Sequence, residues 1–436
     1  MKVSCFFVLL FQCFVTIPAY GQAETQSARP NIILIMADDL GQETLGAYGS
    51  ESYQTPNLDA LADAGMRFDH CYSTPLCTPS RVQLMTGKYN YRNYIGFGLL
   101  DPEEKTFGHL LQASGYETCV AGKWQLLGNA RQQELAGGIM GSRPEQAGFR
   151  NYCLWQVDER GTRYKDPLLS SSEKGTVKFP EQYGPDLFVD YIEDFMEKNR
   201  SKPMFIYYPM VLTHDPFVPT PDNAEFNGFN AESKTNDPKY FGEMVRYMDK
   251  LVGRIVKKTE ALGLRENTLI LFIGDNGTDR DVTSLVNGQV LQGDKGNTTN
   301  AGTRVPFIAN WKGRIKSGSI NKNLVDFTDF LPSLLDLASA DLPATFQTDG
   351  QSFYQQLLGK TSIGREWIYC HYAPNWGKFK PRDYVQNTDW KLYNNGEFYN
   401  LVADPLEKEP IASHELPDAA KPIVEKFKKV LESHAQ

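Results

Sequence analysis

Four apolar runs along the chain break off in the same way, each passing directly into polar, reactive residues. Asn31–Ala37 stops at Asp38-Asp39, residues 116–121 run into Gly122-Lys123-Trp124, residues 205–212 into Thr213-His214, and residues 268–273 into Gly274-Asp275-Asn276. Runs that are apolar without alternation predict strands buried on both faces. Between them the period changes to that of a helix. Pro56 opens a helical stretch over residues 57–64 that Gly65 stops. Residues 186–198 and 243–262 place apolar side chains at i, i+3, i+4 spacing, among them Met244, Tyr247, Met248, Leu251 and Ile255, with Gly263 as a natural stop. This alternation predicts an α/β fold with a large, mostly parallel sheet flanked by helices. In such sheets ligands lie beyond the carboxyl ends of the strands, where all four polar endings fall.

The pattern changes after residue 340. Residues 367–399 hold ten aromatics among Gly, Pro and Asn turns, and residues 417–431 read as a closing amphipathic helix interrupted early by Pro422. The expected organisation is a catalytic domain over 24–340 and a smaller α+β subdomain over 341–436. Residues 1–23 read as a secretory signal: Lys2 is the positive end, an apolar stretch runs from Phe6 to Ile17, and small residues follow at Ala19, Gly21 and Ala23. That stretch is shorter than the roughly 20 residues of a membrane span. The expectation is an exported protein, periplasmic or secreted, without stable membrane insertion.

Charge and cysteine content narrow the chemistry. The 45 Lys+Arg against 53 Asp+Glu give a net charge of −8, which excludes a chain-wide basic surface for nucleic acid. Of seven cysteines, Cys5 and Cys13 leave with the signal, and an odd five remain. In an exported protein one of these is unpaired or used chemically.

Adjacent carboxylates such as Asp38-Asp39 repel unless a cation lies between them, so with Asp275 and Asn276 they form a candidate set of oxygen ligands for a hard divalent ion. Few histidines and many oxygens disfavour zinc. Cys77-Thr78-Pro79-Ser80-Arg81 presents a cysteine near a fixed cation, with Pro75 and Pro79 expected to hold the segment extended. A C-x-P-x-R pattern arises by chance in roughly 0.05 of chains this long, so its context decides.

That context is specific. Asn31 to Gly41, the Cys77 pentapeptide, Gly122-Lys123-Trp124, His214-Asp215-Pro216-Phe217, Asp275-Asn276-Gly277, and Gly293-Asp294-Lys295 through Arg304-Val305-Pro306 follow one another in an order and spacing that resemble the type I sulfatase family. The resemblance covers about residues 29–405 and includes Asp349-Gly350-Gln351-Ser352 and Tyr399-Asn400-Leu401. It implies an alkaline-phosphatase-like fold and a formylglycine-dependent carbohydrate sulfatase of bacterial type. By the same resemblance, a formylglycine-generating maturation enzyme oxidises Cys77, whose hydrated aldehyde is the nucleophile. Ca²⁺ is held by Asp38, Asp39, Asp275, Asn276 and the converted Cys77. Arg81, Lys123 and Lys295 hold the nucleophile and the sulfate oxygens, and His214 protonates the leaving oxygen of a sulfated saccharide substrate.

Two positions depart from the family pattern. Gln125 follows Trp124 where a histidine is usual, and glutamine hydrogen-bonds but takes no proton near neutral pH. The expected consequence is slow release of sulfate, or another base in its place. Asn300 stands where an acid is common. His70 reads as structural or as a pocket wall, and His371 as a candidate pocket lining. The aromatics of 367–399, with Lys378, Lys380 and Arg382, offer stacking and anion contacts for a sugar. Sequons at Asn276 and Asn297 fall inside the proposed site, which favours a bacterial source over a glycosylated one. The alternatives are a phosphodiesterase or phosphonate monoester hydrolase of the same superfamily, and a non-catalytic binder of sulfated glycans.

Overall fold

The computed structural model describes residues 29–361 and 363–435, so the expected signal over 1–23 lies outside the described residues. One ten-stranded sheet runs through the molecule in the spatial order Ser319–Asp326, Met66–Tyr72, Arg304–Trp311, Thr268–Gly274, Asn31–Ala37, Met204–Pro209, Glu117–Lys123, Asn151–Trp155, Leu168–Ser171 and Gly175–Lys178. Arg304–Trp311 and Leu168–Ser171 are antiparallel to both neighbours, and the other pairings are parallel. The α/β class with a mostly parallel sheet is therefore as the sequence predicts.

The unalternated apolar runs are explained by parity. Along the central strand, Ile32, Leu34 and Met36 enter one core while Ile33, Ile35 and Ala37 enter the other. Its neighbour repeats this, with Leu269, Leu271 and Ile273 on one side and Ile270 and Phe272 on the other. Each fully buried Leu, Ile, Met or Phe among them contributes roughly 1.5–3 kcal/mol. Helices Pro56–Asp63, Gly184–Lys198 and Phe241–Ala261 cover one face, and Cys77–Thr86, Phe107–Ala113 and Phe330–Leu337 the other. Because the four central strands are parallel, their carboxyl ends emerge along one edge.

After residue 340 the chain first returns to the main core through Phe353 and Leu357. It then forms a four-stranded antiparallel sheet, Ile368–Tyr372, Arg382–Gln386, Trp390–Tyr393 and Phe398–Asn400. Period-2 alternation divides its residues. Tyr369, Val385, Leu392 and Phe398 pack on helix Lys421–His434, while Cys370, Tyr372, Tyr384, Tyr393 and Tyr399 pack toward Leu76, Cys77 and Phe97.

Two local expectations are corrected, both at prolines. Cys77 to Arg81 is not extended: it opens helix Cys77–Thr86, with Pro79 in the first turn. Pro422 likewise lies in the first turn of Lys421–His434 and starts that helix rather than interrupting it. First-turn N–H groups have no intrahelical partner, so proline loses nothing there. Among the described residues no helix is long and apolar enough to cross a membrane.

Candidate active site

Backbone hydrogen bonds lock the strand ends together before any side chain is considered. Asp38 N donates to Leu212 O (2.8 Å), Thr213 N to Asp38 O (2.7 Å) and Asp275 N to Ala37 O (2.9 Å). Asp39 adopts a left-handed conformation (φ 59°), which turns its carboxylate into the same space as that of Asp38. Its N–H donates to Asp275 Oδ1 (2.9 Å), and Asn276 Nδ2 donates to Asp39 Oδ1 (2.9 Å). Gly122 has φ 126°, and a Cβ there would meet Pro209 O at 1.9 Å, so only glycine lets this strand deliver Lys123 to the site. Lys123 Nζ donates to both oxygens of Asp38 (3.0 and 2.8 Å).

Helix Cys77–Thr86 brings the cysteine and Arg81 to the same place, one turn apart. Arg81 Nη2 donates to Asp275 Oδ2 (3.0 Å) and Nη1 to Lys123 O (3.1 Å). Cys77 Sγ lies 3.7 Å from Gln125 Oε1, and Gln125 is itself left-handed (φ 52°). The departure from the family pattern therefore faces the cysteine directly. Lys295 Nζ donates to Asp39 and lies 3.3 Å from His214 Nε2. The other ring nitrogen, Nδ1, is 2.7 Å from Asp215 Oδ1.

Asp38, Asp39, Arg81 and Lys123 are at most 1% exposed, whereas Lys295 and His214 are 15% and 18% exposed. The site thus opens on the Lys295–His214 side. Burial works to raise the Asp38 carboxyl, but Lys123, with His214, Arg81 and Lys295 around it, holds it far below the ordinary range. Asp275 goes the other way, pushed up by burial and by the charge of Asp38 despite Arg81. Burial pushes the Cys77 thiol up even though Lys123 is close. Lys295 stays charged, since Asp39 above all outweighs its burial.

The donor set suits a hard cation. Asp38, Asp39 and His214 offer ligand atoms within 4.8 Å of one another, while Asp275 accepts from the Asp39 backbone N–H and Asp39 accepts from the Asn276 amide. Asn276 Oδ1 is buried without a hydrogen-bond partner, and so is the donor Arg81 Nε. An unmet oxygen among crowded carboxylates fits Ca²⁺.

The structure brings together all nine residues singled out from sequence for catalysis or metal binding: Asp38, Asp39, Cys77, Arg81, Lys123, His214, Asp275, Asn276 and Lys295. Three other candidates lie elsewhere. His371 pairs with Asp383 in the small sheet (3.0 Å), Asn300 Oδ1 accepts from Gln386 (3.2 Å), and His70 is on strand Met66–Tyr72. Asn276 is fully buried, so its sequon carries no glycan in the folded chain. All five cysteines of the described chain are free and buried. Sequence reasoning missed Arg163, which stacks on Trp155 (4.4 Å), donates to Asp215 O and approaches His214 Nδ1 (3.4 Å). No local motif marks it. Asp215 carried a signal, its adjacency to His214.

Residues 30–340 match the family model described as Sulfatase, and residues 292–436 match one described as N-sulphoglucosamine sulphohydrolase, C-terminal. Arylsulfatase A of Homo sapiens is 32% identical over 405 residues, covering 82% of this chain and 76% of its own. N-acetylgalactosamine-6-O-sulfatase of Bacteroides thetaiotaomicron is 27% identical over 471 residues, covering 88% and 90%. The crystal structure of Ps i-CgsB in complex with k-i-k-neocarrahexaose is similar with a TM-score of 0.76 at 25% identity, covering 93% of this chain and 92% of that one.

Proposed function

The chain belongs to the sulfatase family of hydrolases, with its alkaline-phosphatase-like fold, and on that premise we propose that it hydrolyses a sulfate ester carried on a saccharide, using formylglycine made from Cys77 and one Ca²⁺. The observation that carries this reading is the pair of unmet atoms around Cys77: Arg81 Nε lacks an acceptor and Asn276 Oδ1 lacks a donor or cation. A chamber short of both an anion and a cation suits a sulfate held against a metal ion. Support for a saccharide comes from the two carbohydrate-directed relatives and from aromatic side chains in the cluster around Cys77, where Phe97 and Trp376 stack at 4.8 Å.

Asp38, Asp39, Asp275 and Asn276 are the residues to hold Ca²⁺. When both groups are in place, the hydrated aldehyde supplies an oxygen nucleophile for sulfur and the ion supplies positive charge for the sulfate oxygens. Lys123 and Arg81, fixed by their carboxylates, need no reorganisation as charge shifts toward the leaving oxygen. Lys295 adds a third cation at the open side. His214 Nδ1 faces Asp215, which orients the ring and leaves Nε2 beside Lys295, on the more exposed side of the site. From Nε2 a proton reaches the leaving alcohol, whose pKa is high enough to need it. Overall, one water is consumed, and an alcohol, sulfate and a proton are released. Gln125 offers only an amide at Cys77, so the base that the resemblance implies there is missing.

The test is mass spectrometry of the Cys77 peptide after expression with a maturation enzyme, alongside sulfate release from sulfated saccharides. Conversion together with turnover is the expected result, and an unmodified Cys77 in active protein sinks the proposal.

A further inference from the structure

A cavity of about 640 Å³ lies beside the chamber, between the loop that follows Lys295 and the segment running from Tyr372 to Arg382. The two share a wall. Lys295 reaches Asp39, while the next residue, Gly296, lines the cavity; its carbonyl accepts from Tyr372 OH (2.9 Å), and Tyr372 packs in the same cluster as Cys77. Phe379 lies so close over Gly296 that a Cβ there would meet its ring at 2.1 Å, which fixes this segment next to the entrance. The volume falls in the range of about 300–1,000 Å³ typical of small-molecule sites.

The charges on its walls are not balanced. Asp294 is engaged by Asn297 (2.5 Å) and Thr299, and Glu407 by Lys391 (2.9 Å) and Tyr393. Arg382 is held by Glu397 and stacks on Tyr393 (3.6 Å). Arg280, Lys378 and Lys380 also line the cavity, are exposed, and form no ion pair with a carboxylate among the described residues. Arg280 lies over the Phe379 ring (5.7 Å). Three unpaired cations in a concave, partly aromatic wall focus a positive field one residue away from Lys295.

We infer that this cavity is a second anion site, which takes a sulfate or carboxylate on the sugar neighbouring the one that loses its sulfate, so that the substrate is a saccharide bearing at least two anionic groups. The inference rests on the sulfatase reading above and narrows its substrate class. Hydrogen-bonded, charge-assisted contacts from Arg280, Lys378 and Lys380 place the neighbouring sugar, with Phe379 available as a stacking face.

The experiment is calorimetry on the Cys77→Ala protein, which binds without turnover, using a heparin-derived tetrasaccharide, its carboxyl-reduced form and its O-desulfated form. At about 50 and about 300 mM NaCl, affinity is expected to fall as salt screens the contacts. Adding Arg280→Ala, Lys378→Ala and Lys380→Ala together is expected to weaken binding about tenfold, since exposed charge pairs each contribute little. Lys378→Arg with Lys380→Arg keeps it. Whichever modified tetrasaccharide loses the same factor identifies the anion as carboxylate or sulfate. No binding by the parent at low salt, or a triple variant within about twofold of the parent at both salts, overturns the inference. Failure of the sulfatase reading shows separately, as absence of sulfate release from 4-nitrophenyl sulfate by the protein with converted Cys77.

Discussion

Helix Cys77–Thr86 stands between two clusters of buried charge, with Arg81 directed into one and Gln83 into the other. On the far side Gln83 Nε2 donates to Asp326 (2.8 Å), and Arg365 Nε reaches both oxygens of Asp329 (2.8 and 2.7 Å). Arg365 Nη2 also donates to Asp329 Oδ1 (2.5 Å), and the other guanidinium bonds go to Tyr89 OH (3.1 Å), Thr328 Oγ1 (2.9 Å) and Asp349 O (2.7 Å). No side-chain atom of Asp326, Asp329 or Arg365 is buried without a partner. On the near side three carboxylates, Asp38, Asp39 and Asp275, face three cations, Arg81, Lys123 and Lys295, yet Arg81 Nε and Asn276 Oδ1 are unmet. Charge alone therefore does not mark a site: the far side sets two carboxylates against one guanidinium with their bonds made, and the near side sets three against three with two atoms unmet. Unmet hydrogen-bonding capacity beside balanced charge, with an opening to solvent, does.

The sharpest way to break this contrast is to damage each side and ask which property fails. Cys77→Ala is expected to lower kcat by about 10⁴-fold or more while the melting temperature moves only a few degrees. Turnover of 4-nitrophenyl sulfate and a thermal melt decide it. Arg365→Met is expected to do the reverse, losing about 3–5 kcal/mol of stability through two stranded carboxylates, with near-parent kcat for the molecules that remain folded. A normal melt with lost kcat would show that the two clusters had been assigned the wrong way round. Next in size, Ca²⁺ at 100 times its Kd is expected to stabilise the protein by about 2.7 kcal/mol. A chelator should reverse that gain, and Asn276→Ala should abolish most of it, whereas the Arg365 cluster should not respond to calcium.

Smaller effects sharpen the comparison further. Gln125→His restores a group able to take a proton beside Cys77 and is expected to change turnover about tenfold. Unchanged turnover and an unchanged pre-steady-state burst would show that the amide is not what limits release. His70 supplies the control, because its Nδ1 is also buried without a partner although it belongs to neither cluster. Burial first, then Arg304, pulls its imidazole down to about 4, with Asp69 opposing. An unfolded histidine protonates near its ordinary value of about 6.5, so between that pH and about 4 the unfolded chain binds more protons. Stability is therefore expected to fall as pH drops through that window, by about 1 kcal/mol after allowing for the partial exposure of the ring. A His70→Gln variant with the same dependence of melting temperature on pH would assign the loss to another group.

The near side was legible in the sequence because its residues sit at strand ends. A buried parallel strand must be apolar throughout, so Asp38-Asp39 and Asp275-Asn276 stand out where the runs stop, and parallel pairing then gathers them. Lys123 and His214 follow by the same logic. Arg163 and Arg365 were not legible. Each is far along the chain from its partners, with no periodicity around it, and only tertiary packing brings Arg163 to His214 or Arg365 to Asp329. The prolines misled for a related reason: a proline breaks a helix interior but suits its first turn, and the sequence around Pro79 and Pro422 does not say which turn is first. The C-terminal aromatics were visible as a cluster, but their division between helix Lys421–His434 and the neighbourhood of Cys77 depends on strand register.

The inner face of the small C-terminal sheet closes over Cys77, leaving it 2% exposed at the start of a buried helix. That packing sets a timetable. On the reading proposed above, a maturation enzyme would reach Cys77 more readily in the interval before Tyr372 and the rest of the small sheet pack against it than afterwards. A fast-folding C-terminal unit would shorten that interval, and a chain that closes early would be well folded and less readily converted.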